Sequence, residues 1–241
     1  RVTDYQAFFQ YVMKEGYKSI LSAFINPSPQ PEAHLIRVYW YAVGKTDSYD
    51  FAVEHTKNVM TRIFNSTREV QTAYKTIVGR ANPGVSGPEL HQLAFEAFYV
   101  DREEWYTGRK RKIESFCGFY DKIRRESDFI DIYEVGHWKL DFISKEVDEK
   151  GLDTALAVDS VTMLDTYDVA LIVSGDADMI PSINYLKRQG KHVGIVTFIS
   201  GYPPEPSGRQ QSQRLSKAAD FDVPIYEMDL SRLDFCEPTR D

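Results

Sequence analysis

Asp168-Val-Ala-Leu-Ile-Val-Ser-Gly-Asp-Ala-Asp178 is the stretch that decides the fold. Residues 168–173 are short, rich in β-branched side chains and bounded by turn residues, which predicts a fully buried strand. Gly175 permits a sharp turn, and aspartates follow at positions 176 and 178. Ligands of parallel α/β sheets bind where the strands end, so the sequence predicts an acidic site here.

A helix is predicted directly after the two aspartates. Met179, Ile183 and Leu186 recur at helical spacing, and Gly190 supplies a stop. Asp178 alone fits a plain helix N-cap, because an aspartate accepts from the free N–H groups of a first turn. That interpretation leaves Asp176 unexplained. Two carboxylates one residue apart suit a hard divalent cation.

A second acidic segment, Lys150-Gly-Leu-Asp153, opens a predicted helix over residues 154–164. Asp159 is the one charged residue of that helix. It shares a stripe with the following apolar side chains: Leu152, Ala155, Leu156 and Met163. A buried carboxylate without a partner is costly, so we expect a hydrogen-bond donor or a polar site beside Asp159.

These segments resemble the NYN domain family of the PIN-like (PIN/FEN-type) metal-dependent nucleases. The resemblance rests on Lys150–Asp159, on Asp168–Pro181 and on Gly190-Lys-His-Val-Gly-Ile-Val196, in this order. It covers residues 129–228 well. Beyond these motifs, three segments resemble two strands and a late helix of the family: residues 35–42, 129–135 and 215–221.

The resemblance implies an α/β fold, a Rossmann-like three-layer sandwich with a mostly parallel central sheet. It implies Asp153, Asp176 and Asp178 as catalytic residues and ligands of Mg²⁺ or Mn²⁺. Asp159 and Ser174 are expected to support them by orienting a ligand or a water. The implied activity is that of a metal-dependent endoribonuclease, which hydrolyses RNA phosphodiester bonds in single-stranded or loop regions.

The start of the chain departs from the family pattern. In that family the first strand ends in an aspartate that binds the metal, whereas here Thr3-x-x-Gln6 predicts a capping box and a first helix. A sheet without its central strand has unpaired edges. We therefore expect the strand and its aspartate to precede Arg1, and residues 1–241 to belong to a single NYN domain.

Residues 44–108 fall outside the motifs and predict a helical insertion within that domain. One helix is predicted over residues 49–78, with a break near Asn65-Ser66. The pattern Ser86-x-x-Glu89 predicts a capping box and a further helix through Phe98. Structural packing and a surface that binds a protein partner are both open interpretations of the insertion.

Charge restricts how a nucleic acid binds. The net charge of −7 opposes nonspecific attraction of a polyanion to the whole molecule, so RNA must dock locally. Residues 109–126 predict a helix with an apolar stripe of Ile113, Phe116, Cys117, Tyr120 and Ile123. A solvated amphipathic helix is the simpler interpretation. The alternative is phosphate binding by these arginines: Arg109, Arg111, Arg124 and Arg125, with Arg209 from the loop 200–209.

Two cysteines are too few for a disulfide framework, and the chain shows neither a signal core nor an apolar span. We therefore expect a protein of the reducing cytoplasm with no membrane partner. A non-catalytic RNA- or protein-binding module of the same fold remains an alternative function. An aspartyl phosphatase ranks last, because that class has its Asp-x-Asp at the end of the first strand, whereas here the motif comes late.

Overall fold

A computed structural model describes residues 2–23, 32–202, 205–207, 213–234 and 236. In chain order its helices and strands are α1 Tyr5–Ala23, β1 Val38–Thr46, α2 Glu54–Ser66, α3 Arg68–Ala81, α4 Gly87–Glu126, β2 Ile130–Asp141, β3 Glu146–Lys150, α5 Leu152–Thr162, β4 Val169–Ile172, α6 Ile180–Arg188, β5 His192–Tyr202, β6 Glu205–Ser207, α7 Gln213–Ala218, β7 Phe221–Tyr226 and α8 Glu227–Leu230. Short 3₁₀ turns lie at Leu164–Thr166 and Ala177–Met179. The fold is mixed α/β with parallel strand pairing.

The chain divides into two compact units. Unit 1 comprises Arg1–Ala42, Lys122–Tyr133 and Gly151–Asp241, and unit 2 comprises Val43–Asp121 and Glu134–Lys150. Strands β1, β2 and β3 form a sheet in that order, and β2 pairs with β3 antiparallel. Within the described ranges, every helix is too short or too polar to span a bilayer.

The parallel sheet of unit 1 carries the acidic turn. Strand β5 pairs in parallel with β4, from Val169 opposite His192 to Ile172 opposite Ile195. It also pairs in parallel with β7, and β6 adds an antiparallel extension at its end. The predicted strand over residues 168–173 is more exposed than expected, because Val169 of β4 is 38% exposed and Val173, just after β4, is 52% exposed. Among the described strands it pairs with β5 alone, so it forms an edge.

Helix α6 packs as its spacing predicts. Met179, Ile183 and Leu186 are 0% exposed and contact Ile172 and Val193 in the core of unit 1. The helix ends as predicted at Gly190, whose φ is +80°. The Gly190 N–H donates to the Lys187 carbonyl (3.0 Å) and the Lys191 N–H to the Leu186 carbonyl (3.1 Å). This is the Schellman arrangement, in which a left-handed residue closes a helix.

Helix α1 begins with a different cap from the predicted one. Asp4 Oδ1 accepts a hydrogen bond from the Ala7 N–H at 3.0 Å, so Asp4 is the N-cap and the expected capping box from Thr3 is wrong. Phe8 and Val12 of α1 are buried against Val196 and Val223 of the sheet. The resembling strand of residues 35–42 begins later than expected, because β1 runs from Val38 to Thr46.

Unit 2 is mainly helical. The predicted break near Asn65-Ser66 is confirmed, because α2 ends at Ser66 and α3 begins at Arg68. Helix α4, by contrast, is one helix of 40 residues where two were expected. Its predicted apolar stripe is wrong at the centre: Phe116 is 48% exposed and Cys117 is exposed, whereas Ile123 is buried.

A buried charged network joins α3, α4 and the end of β2 in unit 2. The Arg102 side chain is 4% exposed, lies over the Phe98 ring at 4.6 Å and donates to the Tyr74 hydroxyl at 2.9 Å. Asp101 pairs with Arg102 and accepts from Lys145 at 2.7 Å. Burial, with the hydrogen bond to Asp101, raises the pKa of Tyr74 to about 12. A buried guanidinium needs all of these partners.

Tyr74→Phe tests this network. The variant keeps the ring but removes the hydroxyl that donates to Asp101 and accepts from Arg102. Leaving buried polar groups short of a partner costs about 1–3 kcal/mol, which we expect to appear in the free energy of unfolding in urea. Tyr185→Phe, at a side chain that is 37% exposed, is the matched control. Equal stabilities of the two variants would contradict the account.

Candidate functional site

The turn after β4 is shaped by its own side chains. The Asp176 N–H donates to Ser174 Oγ at 3.1 Å, and the Asp178 N–H donates to Asp176 Oδ1 at 2.9 Å. Asp176 is therefore the N-cap of the 3₁₀ turn Ala177–Met179, so the simpler alternative, in which Asp178 is only a cap, does not hold. Asp176 and Asp178 are both exposed, so their carboxylates face solvent.

Asp153 reaches the same region from another helix. Gly151 has a φ of +93°, a conformation that favours glycine, and it places Asp153 in the first turn of α5. Helix α5 lies against the turn that Asp176 caps. Burial raises the pKa of Asp153, and the carboxylates of Asp176 and Asp178 raise it further. The structure thus brings the Asp176 and Asp178 carboxylates close enough to Asp153 to disfavour its ionised form.

Their spacing does not form a closed metal cage. Among the described residues, no three His, Cys, Asp or Glu side chains converge closely enough to hold a metal ion. Mg²⁺ commonly keeps several waters and takes only one or two carboxylates from the protein, together with phosphates of the substrate. The carboxylate oxygens of Asp153, Asp176 and Asp178 therefore suit such an ion chemically, since a cation relieves the repulsion felt by Asp153.

Asp159 has the hydrogen-bond donor that its place in an apolar stripe predicts. The Tyr41 hydroxyl donates to Asp159 Oδ2 at 3.0 Å. Burial, followed by Asp159, raises the pKa of Tyr41 far above its ordinary value. The Tyr41 ring stacks on the Tyr133 ring with centroids 5.9 Å apart, and the centroid of the Tyr39 ring also lies 5.9 Å from that of Tyr133. The alternation of Tyr39 and Tyr41 in a strand is the signal that predicts one shared face.

The candidate RNA-binding arginines are distributed over both units. Arg109 and Arg111 are exposed residues of unit 2, and Arg124 and Arg125 are exposed residues of unit 1, all on α4. Arg124 Nη2 donates to the Ile132 carbonyl at 3.4 Å, so this arginine also fastens the helix end to β2. Arg209 lies outside the described residues.

Comparison with known families identifies the family of this chain. The profile of the NYN domain, a PIN-like nuclease family, matches residues 85–224, which is more than half of the chain. The matched range contains all of α4, α5 and β4 and therefore the aspartates discussed above. Searches of curated proteins and of solved structures returned no significant match.

Asp153→Asn tests whether the three carboxylates repel. Because the folded state raises the pKa of Asp153, stability falls as pH rises through that raised pKa. We expect the metal-free variant to be more stable than the wild type at pH 7, by up to about 1 kcal/mol since the side chain is exposed. The gain should vanish at pH values below the ordinary pKa of an aspartate.

Thermal unfolding in EDTA at several pH values measures this effect. Asp165→Asn is the control, because Asp165 is an exposed aspartate in the 3₁₀ turn Leu164–Thr166. A metal-free Asp153→Asn protein that is less stable than the wild type at pH 7 would show that the carboxylates do not repel.

Proposed function

The chain belongs to the NYN domain family of PIN-like nucleases, and from this membership we propose that it is a metal-dependent endoribonuclease. The observation that carries the proposal is that Asp153 of α5 lies near Asp176 and Asp178 after strand β4: burial raises the pKa of Asp153, and these two carboxylates raise it further. Like charges near one another disfavour the ionised form, and a bound cation relieves that effect. We propose Asp153, Asp176 and Asp178 as the catalytic residues, within a Rossmann-like three-layer sandwich.

The position of these residues supports the proposal. Strands β4, β5 and β7 run parallel, and ligands of parallel sheets bind beyond the carboxyl ends of the strands. Asp176 follows β4 directly, and its rotamer is restrained by the bond to the Asp178 N–H. Asp153 is fixed by the left-handed Gly151 and by α5. Carboxylates held in this way are preorganised for a hard cation.

Mg²⁺ or Mn²⁺ is the proposed cofactor, with Asp153, Asp176 and Asp178 as its protein ligands. Such an ion, when bound, lowers the pKa of water and stabilises charge on a phosphate. Ser174 holds the turn by accepting from the Asp176 N–H, and Asp159 is held by Tyr41, so both act by positioning. Several carboxylates on one wall also repel a phosphodiester, which therefore requires the cation to approach.

RNA is the proposed substrate, in single-stranded or loop regions. With a net charge of −7 the molecule needs local cations to bind a polyanion. Arg109, Arg111, Arg124 and Arg125 of α4 are proposed to contact phosphates, and Arg209 is proposed with them. The helical segment 44–108, which we propose as an insertion within a single domain over residues 1–241, also offers a surface for a protein partner.

A non-catalytic RNA-binding module is the second candidate function. It is favoured by the finding that no three potential ligands converge among the described residues. The two functions differ in one respect: an endoribonuclease needs Asp176 for turnover, whereas a binding module does not need it to hold RNA.

Metal binding is the first test of the proposal. A ligand that binds only the folded state raises its stability by mass action. We expect millimolar Mn²⁺ or Mg²⁺ to raise the melting temperature of the wild type, and to raise that of Asp176→Asn much less. Asp165→Asn should respond like the wild type, because Asp165 precedes β4 whereas the acidic turn follows it. An equal rise in the melting temperatures of the wild type and Asp176→Asn would show that Asp176 is not a ligand of the metal.

RNA cleavage is the second test. Asparagine keeps the size and the capping oxygen of Asp176, so the turn should survive while the charge is lost. We expect the full-length protein to cleave single-stranded RNA with Mn²⁺ or Mg²⁺, EDTA to stop it, and Asp176→Asn to be slower by about a hundredfold or more. The readout is the initial rate on a labelled oligonucleotide.

Two outcomes of this assay would change the assignment. Cleavage that copurifies unchanged with Asp176→Asn would come from a contaminating nuclease. A folded wild type that binds RNA and leaves it intact with both metals would favour the binding module.

A further inference from the structure

A pocket in unit 2 lies outside the proposed carboxylate site. Its volume of about 520 Å³ falls in the range of small-ligand sites. One wall is the segment Ser48–Phe51, and the other is a face of α4. The α4 residues that line it recur at helical spacing: Glu103, Tyr106, Thr107, Lys110, Arg111 and Glu114.

The first wall presents aromatic rings that are already held in place. The Tyr49 N–H donates to the Tyr106 hydroxyl at 2.9 Å, and the Tyr99 hydroxyl donates to the Phe51 carbonyl at 2.6 Å. The Tyr49 and Phe51 rings lie 5.8 Å and 5.6 Å from the Tyr106 ring. Both side chains are half-buried, so each contributes to the core and still lines the pocket. A ligand therefore meets a rigid aromatic surface.

The second wall supplies cations without internal partners. Within the part of the chain that the structure describes, Lys110 and Arg111 make neither an ion pair nor a hydrogen bond through their side chains. Three carboxylates line the same pocket, those of Asp50, Glu103 and Glu114. A ligand that fits must offer an anion to the cations, donor groups to the carboxylates and a flat apolar face to the rings.

We propose that this pocket binds one nucleotide of a single-stranded RNA. The base lies against Tyr49 and Phe51, and the phosphate lies on Lys110 and Arg111. The carboxylates accept hydrogen bonds from ribose hydroxyls and from base N–H groups, both of which a nucleotide carries. The inference rests on the proposed function in one respect, that RNA is the ligand, and it adds a base-binding subsite in unit 2.

Of four consecutive basic residues on α4, only two line the pocket. Residues 109–112 are all basic and exposed, but Lys110 and Arg111 line the pocket whereas Arg109 and Lys112 do not. One residue turns a helix by about 100°, which explains how adjacent side chains differ in this way. If α4 is only a solvated basic helix, substitution of each of the four residues should change RNA affinity equally. If the pocket is a nucleotide site, the two residues that line it should matter more.

Matched double variants test the subsite. Lys110→Glu with Arg111→Glu, and Lys112→Glu with Lys122→Glu, change the net charge equally at exposed residues of α4. The affinity for a short single-stranded oligouridine is measured by fluorescence anisotropy. EDTA in the buffer removes divalent metal and so prevents metal-dependent cleavage during the measurement. We expect the pocket pair to weaken binding at least about tenfold more than the control pair. Equal losses, or no loss, would overturn the subsite.

The base is tested separately with an abasic oligonucleotide of the same length and charge. We expect the wild type to bind the oligouridine about tenfold more tightly than the abasic strand, because a base stacks on an aromatic ring. Tyr49→Leu, which keeps an apolar side chain in the core, should lose most of that difference once circular dichroism shows it is folded. A wild type that binds both strands equally would exclude base recognition.

The experiments distinguish a failure of the proposed subsite from a failure of the proposed catalysis. If the protein never cleaves RNA but the two double variants still differ in affinity, the subsite stands and the endoribonuclease is wrong. If it cleaves RNA while the two double variants bind equally, the endoribonuclease stands and the subsite is wrong.

Discussion

Electrostatic repulsion among three aspartates is the constraint on which the proposed site depends. Asp153 comes from α5, and Asp176 and Asp178 come from the turn after β4. Burial raises the pKa of Asp153, and both of the other carboxylates raise it further. Charges of like sign held near one another reduce stability unless something neutralises them. This arrangement is the basis of the proposed cation site, and the family to which the chain belongs is one of PIN-like nucleases.

The rest of unit 1 keeps the repelling groups in position. Ile183 and Leu186 of α6 are fully buried, so the helix that follows Asp178 cannot move without opening the core. The Tyr41 hydroxyl satisfies Asp159 on the helix that carries Asp153. Unit 2 has its own core and its own buried ion pair around Arg102. Each unit is therefore stabilised internally, and the candidate catalytic aspartates all belong to unit 1.

The sequence was most informative where local chemistry dominates. The spacing of Met179, Ile183 and Leu186 and the stop at Gly190 depend on the helix itself, and the structure confirms them. The need of Asp159 for a donor follows from its apolar neighbours, and a donor is present.

Other features depend on tertiary contacts that spacing does not encode. Asp4 and Asp176 serve as caps in place of Thr3 and Asp178, because neighbouring residues of similar chemistry compete and the backbone path decides. Phe116 is exposed although it is apolar, since burial depends on what packs against α4. The pocket beside Lys110 joins segments far apart in the sequence.

The most direct test of the central claim is the pKa of Asp153 itself, followed by carboxyl ¹³C NMR in the absence and presence of Mg²⁺. We expect a pKa above the ordinary value of about 3.9 in the metal-free protein. This pKa should decrease when Mg²⁺ is added, and it should decrease without metal in the Asp176→Asn variant. An ordinary pKa that neither Mg²⁺ nor the substitution alters would contradict the account.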